Sequence, residues 1–170
     1  MTETCYEEII KRLEVREFSD RPVTDEIILK VIKAGRSAPS AYNRQPWNFV
    51  VIKDKNRLNE LGKLCTSGPY VKDAAFAVAV FVDPQNPFYI IDGTRATQTM
   101  MLAGWALGLG SCWVTGIERE EAKEFLKAPK DLYLLAVIPF GYPKRAFKGK
   151  KARKPLSSIV FLEEFGNPLK

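Results

Sequence analysis

The side chains able to do chemistry in this chain are few, and one type is missing. The 170 residues contain no histidine, which removes Ser-His and Cys-His nucleophilic arrangements and histidine acid/base catalysis. Cys5, Cys65 and Cys112 are an odd number at wide spacing, against both a disulfide framework and a zinc site. Cys112 beside Trp113 reads as buried packing, since no general base is evident nearby. What remains is charge and hydrogen bonding. Arg12 and Arg16 stand four residues apart, where two guanidinium groups can converge on one phosphate, although a solvated surface pair is the commoner use of that spacing. Arg153 and Lys154 carry the same two readings. Residues 37–52, SAPSAYNRQPWNFVVI, set Asn43, Gln45 and Asn48 among Pro39, Pro46, Trp47 and Phe49. Amide groups held beside rigid apolar neighbours, just ahead of a strand, are how a polar ligand site is built.

The formal charge of +6 is placed unevenly: residues 144–154 hold seven Lys/Arg and no acid, leaving nineteen bases against twenty acids elsewhere. Such a segment can hold a nucleic-acid backbone or a nucleotide phosphate, or simply face water. Nucleic acid ranks low, because Phe147 is its single aromatic and no recognition helix precedes it. With 46% apolar residues, one domain over residues 1–170 is expected. The charged, amphipathic N-terminus is unlike a signal peptide and no run is long enough to span a bilayer, so a soluble, cytoplasmic protein with reduced thiols is the expectation.

Apolar spacing places these groups on elements. Tyr6, Ile9, Ile10 and Leu13 predict a helix over 4–13 with one buried face, capped by Thr2 or Thr4. Pro22 and Thr24 lead a second helix ending near Gly35, with Ile27, Ile28, Val31 and Ile32 toward the core. Residues 49–52 read as a strand, 54–64 as a helix, and FAVAVFV at 76–82 as a strand covered on both faces. Residues 92–110 form a helix apolar nearly all round, suited to a molecular centre or a subunit interface. Within it, Asp92 reads as a first-turn acid favoured by the helix dipole and Gln98 as a polar group at an interface. Gly108-Leu109-Gly110 is not a dinucleotide fingerprint, because Trp113 stands where the third glycine belongs and the helix precedes the strand. It reads as a helix C-cap turning into a strand over 112–115, with amides at Thr115 to Ile117 able to meet a ligand. A charged helix over 118–126 and strands over 133–140 and 158–162 complete the chain. The last of these needs a sheet edge, which in a small domain can belong to a partner subunit.

Four segments in order resemble the nitroreductase family of FMN-dependent oxidoreductases, in its short form. They are Arg12, Arg16 and Phe18 as R-x-x-x-R-x-F, the 37–52 block, LGLGSCW leading into Val114-Thr115-Gly116, and Gly141-Tyr142-Pro143 with Arg153-Lys154-Pro155. The resemblance implies an α+β, three-layer fold: a central mixed sheet of about five strands flanked by helices, with the C-terminal strand exchanged with the partner subunit. It implies a homodimer with FMN at the interface. Arg12 and Arg16, with Arg153, would bind the phosphate; Pro39, Ser40 and Asn43 would reach the flavin from the other subunit; the backbone of Val114, Thr115 and Gly116 would face the ring. Gln98 and Lys154 complete the expected cofactor-binding set, and no residue is expected to be catalytic in itself. Glu14 departs from the family, which often has Ser between the arginines: a carboxylate there must turn away or repel the phosphate.

The function so implied is hydride transfer from NADH or NADPH through the flavin to a small acceptor such as a nitroaromatic or quinone, the cofactor carrying the chemistry. The alternative is a carrier or sensor that binds flavin or nucleotide without turnover.

Overall fold

The computed structural model describes residues 2–145 and 151–169. Its centre is a sheet of β1 (Trp47–Ile52), β2 (Phe76–Val82), β3 (Gly110–Ser111) and β4 (Tyr133–Gly141), in the order β1-β2-β4-β3. Every neighbouring pair is antiparallel. Five helices accompany it: α1 (Thr2–Lys11), α2 (Asp25–Arg36), α3 (Lys55–Leu64), α4 (Tyr89–Ala106) and α5 (Arg119–Phe125).

β2 explains the layering. All seven of its residues are buried, and side chains alternate between the two faces of a strand. Phe76, Val78, Val80 and Val82 join Ile28 and Val31 of α2 and Ala96 and Met100 of α4 in one core. Ala77, Ala79 and Phe81 join Leu58 and Leu61 of α3 and Ala122 of α5 in the other. The sheet is thus sandwiched by helices, which is why this strand has no polar alternation. The helices sit close to one another and to the sheet. A Cβ built on Gly35 of α2 would lie 2.5 Å from the Met100 side chain, and one on Gly93 of α4 would lie 2.6 Å from Val82.

α2 has its expected cap, Thr24 Oγ1 accepting from the Ile27 N–H at 3.4 Å. α4 ends as its glycines suggest. Gly108 has φ +81°, its N–H donates to the Trp105 carbonyl at 2.9 Å, and the Leu109 N–H donates to Gly104 at 2.8 Å. That pair of bonds is the Schellman arrangement, which turns the chain directly into β3.

Four expectations need correction. Among the described residues the sheet has four strands, not about five, and its only parallel pairing is an isolated bridge between Glu14 and Ser111. The strand expected over 112–115 is really Gly110–Ser111, because after Ser111 only Val114 rejoins β4, through Val137. The strand expected over 158–162 does not form: Leu156–Ser158 is a 3-10 turn and Phe161 bridges Pro168, so the segment folds on itself. In one chain it has no sheet edge to join at β3, whose outer side is taken by Glu14 and Val15. The apolar face expected to bury α1 is also out of place, with Tyr6 66%, Ile9 47% and Ile10 54% exposed. Among the described residues no helix is long and apolar enough to cross a membrane.

Candidate functional site

Both chain ends bring cations to one place. After α1 the chain runs beside β3, the Val15 N–H donating to the Ser111 carbonyl at 2.9 Å, and Val15 itself is fully buried. This pins Arg12, Glu14 and Arg16 against residues 111–113. Arg12 donates to one oxygen of Glu14, and the other oxygen accepts the Trp113 N–H at 3.3 Å. Glu14 is thereby turned onto a guanidinium and an amide, and its charge is neutralised where a phosphate would otherwise meet it. From the other end, Lys151 Nζ donates to the Ile9 carbonyl at 3.1 Å. Desolvation and then the charges of Arg12 and Arg153 hold the Lys151 ammonium below its ordinary value. Arg153 and Lys154 are exposed, Arg153 turning one N–H to the Ala152 carbonyl at 2.7 Å. Residues 146–150 of the basic segment, Phe147 among them, lie outside the described residues.

Arg16 lines a hollow of about 400 Å³ in which Lys55 and Lys144 stand with Glu17, Asp20 and Asp73, and it lies against the Tyr70 hydroxyl. That hydroxyl donates to Cys112 Sγ at 3.2 Å. Burial, and then the Cys112 contact, push Tyr70 up to about 12. Burial likewise raises the Cys112 thiol and takes Cys65 up to about 12. Buried thiols of this kind are inert. Thiol titration of the folded protein at pH 8 is expected to modify Cys5 alone, with Cys65 and Cys112 reacting only after denaturation; a second fast thiol would contradict this reading of Cys112.

The loop after Cys112 is held from behind. The Val114 N–H and carbonyl both bond to Val137, at 3.1 and 3.0 Å. The Gly116 N–H donates to Ser67 Oγ at 3.0 Å, and its carbonyl accepts from the Ser67 N–H at 3.2 Å. Arg119 donates to the Thr115 carbonyl and the Leu134 carbonyl, each at 3.0 Å. Of the three amides at Val114, Thr115 and Gly116, only that of Thr115 has no acceptor among the described residues.

Pro39, Ser40 and Asn43 lie elsewhere, at the start of α4. Pro39 and Asn43 are exposed and Ser40 is half-buried. Tyr42, Asn43 and Gln45 have φ of 53°, 55° and 48°, a left-handed cluster without glycine of the kind found at ligand sites. Ser40 Oγ accepts the Gln45 N–H at 3.0 Å, and the buried Asp92 accepts the Ala41 N–H at 3.1 Å. Asp92 is therefore more than the first-turn acid its position suggests. Gln98 is exposed midway along α4.

The candidate residues thus form two groups at opposite ends of one helix. Asp92 marks the loop end, and Trp105, which shares a hollow with Lys11 and Leu109, marks the arginine end. Thirteen helical steps separate Asp92 from Trp105, about 20 Å at 1.5 Å each. Sequence reasoning missed Lys151, Ser67, Arg119 and the tether at Asp92. None of them carries a local signal: Asp92 reads in the sequence as an ordinary first-turn acid.

The layered α+β architecture, an antiparallel sheet between two layers of helices, defines a fold class, and comparison with known proteins narrows it. The description of the nitroreductase family matches residues 9–89 and 83–142. A putative NADH dehydrogenase/NAD(P)H nitroreductase of Archaeoglobus fulgidus is 36% identical over 151 residues, covering 84% of this chain and 87% of that protein. A crystal structure of a putative NADH dehydrogenase/NAD(P)H nitroreductase from Parabacteroides distasonis superposes with a TM-score of 0.86 at 30% identity, over 95% of this chain and 99% of that one. An FMN-dependent nitroreductase from Clostridium difficile does so with 0.86 at 29% identity, over 93% and 98%. The chain belongs to the nitroreductase family.

Proposed function

We propose that this chain, as one domain, is an NAD(P)H-dependent flavin oxidoreductase that holds FMN between two copies of itself and passes electrons to a small acceptor such as a nitroaromatic or a quinone. The observation that carries the reading is the convergence of Arg12, Arg16, Lys151 and Arg153 beside the 112–116 loop, with Lys151 held low by burial and by its neighbours' charge. An FMN phosphate would relieve that repulsion. Family membership supports the reaction class.

When bound, FMN supplies a two-electron carrier, taking hydride from NADH or NADPH and giving it to the acceptor. The chain's own residues bind and orient. Arg12 and Arg16 hold the phosphate, Arg12 while also neutralising Glu14. The Thr115 N–H offers one donor toward the ring, stiffened by Ser67 and Arg119 on either side. Pro39, Ser40 and Asn43 serve the partner's cofactor, since a separation of about 20 Å along α4 keeps them from their own chain's arginines. A two-fold dimer whose axis crosses α4 would bring one end of that helix in each copy to the other end in its partner. The exposed Tyr6, Ile9 and Ile10 of α1 and Leu156, Ile159 and Phe165 near the C-terminus support such a pairing. β1 pairs only with β2 among the described residues, so its outer edge is open to a strand lent by the partner. Gln98 and Lys154 are assigned to the rim of the same site.

A visible spectrum of the purified protein, saturated with FMN, desalted and titrated anaerobically with NADPH and then NADH, tests this. Retained flavin absorbance that bleaches on titration is expected. A protein that emerges colourless after exposure to excess FMN would falsify the proposal.

A further inference from the structure

Asp92 is fully buried, and its carboxylate has two partners. One oxygen accepts the Ala41 N–H at 3.1 Å, and the other meets Arg95 at 3.4 Å, whose side chain is 51% exposed. A buried carboxylate with one distant, half-solvated counter-charge is expensive to keep, and an exposed acid would serve the helix dipole as well. Its distinctive work is on the loop. Residues 40–45 fix their own shape, with Asn43 N–H to the Ser40 carbonyl at 3.0 Å, Arg44 N–H to the Ala41 carbonyl at 3.1 Å and Gln45 N–H to Ser40 Oγ at 3.0 Å. Among the described residues, the bond from Ala41 to Asp92 is the hydrogen bond that fastens this left-handed cluster to the body of the protein. Without it the loop keeps its internal bonds and its end at Pro46, whose carbonyl accepts the Asp83 N–H at 2.9 Å, while over the start of α4 it keeps a ring contact between Tyr42 and Phe88, 6.3 Å between centroids.

We propose that Asp92 is a positioning residue which, through the Ala41 amide, aims Ser40 and Asn43 across the interface at the cofactor of the partner subunit. The inference rests on the reading of FMN shared between two copies. It makes Asp92 act in trans: a defect there spoils the site whose arginines belong to the other chain.

Two variants remove the tether in different ways. Asp92→Ala removes the acceptor. Ala41→Pro removes the donor, at the first residue of a 3-10 turn where proline is tolerated, after Ser40 at φ −134° and ψ 154°, the conformation proline requires of its predecessor. In holoenzyme homodimers each is expected to raise the FMN dissociation constant at least tenfold, while Asp92→Asn, whose amide oxygen still accepts from Ala41, stays within about threefold. The deciding experiment is a mixed dimer of either variant with an Arg12→Ala/Arg16→Ala subunit. One of its two sites then combines intact arginines with an intact loop, so about half of the wild-type flavin content and turnover is expected, although each parental homodimer is impaired. A merely structural Asp92 would leave the mixed dimer as poor as its parents. Failure of the mixed dimer to recover, or wild-type FMN affinity in both Asp92→Ala and Ala41→Pro, overturns the proposal. If Asp92→Ala does not fold, Ala41→Pro decides alone. Wild-type protein that binds no FMN refutes the cofactor reading instead, so the two failures are distinguishable.

Discussion

Replacing Arg12 and Arg16 together by alanine is expected to raise the FMN dissociation constant by about a hundredfold to ten-thousandfold while leaving the fold intact. A hydrogen bond to a charged group contributes about 1.5–3 kcal/mol, and each 1.4 kcal/mol is roughly tenfold in affinity. The two residues should not contribute equally. Arg12 has only 14% of its side chain exposed and also neutralises Glu14. With the phosphate placed as proposed, removing it would delete an attraction and leave a carboxylate facing the phosphate, so Arg12→Ala should cost more than Arg16→Ala. Adding Glu14→Gln to Arg12→Ala should recover part of the loss, and the same change in the wild-type background should tighten FMN modestly. Fluorescence titration of the apoprotein with FMN measures all five variants. The loss from Arg16→Ala should also shrink at high salt, because that residue is exposed. Equal effects of the two single variants, with no rescue by Glu14→Gln, would show that Glu14 does not face the phosphate.

Signals that act locally were legible in the sequence. FAVAVFV announced a strand buried on both faces, and Thr24 and Gly108 marked a helix start and a helix end. Each depends on neighbours within a few residues, or on burial that a run of apolar side chains must have. The exposed face of α1 and the self-folded segment after Pro155 were misplaced for one reason. Period and composition say that a surface must be covered, not which chain covers it. The site divides the same way. Arg12, Arg16 and the 37–52 block stood out by residue type. Lys151 did not, being one base among seven in residues 144–154, and its place on the Ile9 carbonyl depends on the two chain ends meeting. Asp92 shows the limit most clearly, because a first-turn acid is so ordinary a choice that its bond to Ala41, 51 residues away, leaves no local mark.

If the chain pairs as proposed, deleting residues 156–170 is expected to leave it monomeric and abolish FMN retention, with little change in the secondary structure of what remains. The backbone bonds of the deleted stretch stay close to home: Val160 to Leu156, Leu162 to Asn167, Leu169 to Val160. None of its described side chains belongs to the three cores. Yet it is strongly apolar at its surface, with Leu156 68%, Ile159 53%, Leu162 51%, Phe165 92% and Leu169 46% exposed. Burying a large apolar side chain is worth about 1.5–3 kcal/mol when burial is complete. With partial burial allowed for, five such residues offer on the order of 5–10 kcal/mol per copy, an upper range since part of this surface is hidden in any reference state. Even the lower figure corresponds to more than about a thousandfold in the dimer dissociation constant. Sedimentation velocity across a range of concentrations, with circular dichroism of the same samples, separates the possibilities. A truncated chain that remains dimeric would assign the interface to the exposed face of α1 instead. A truncated chain that loses its helices would mean that the segment supports its own subunit. A segment lent to the partner at the open edge of β1 requires dimer and flavin to be lost together while the circular dichroism is preserved.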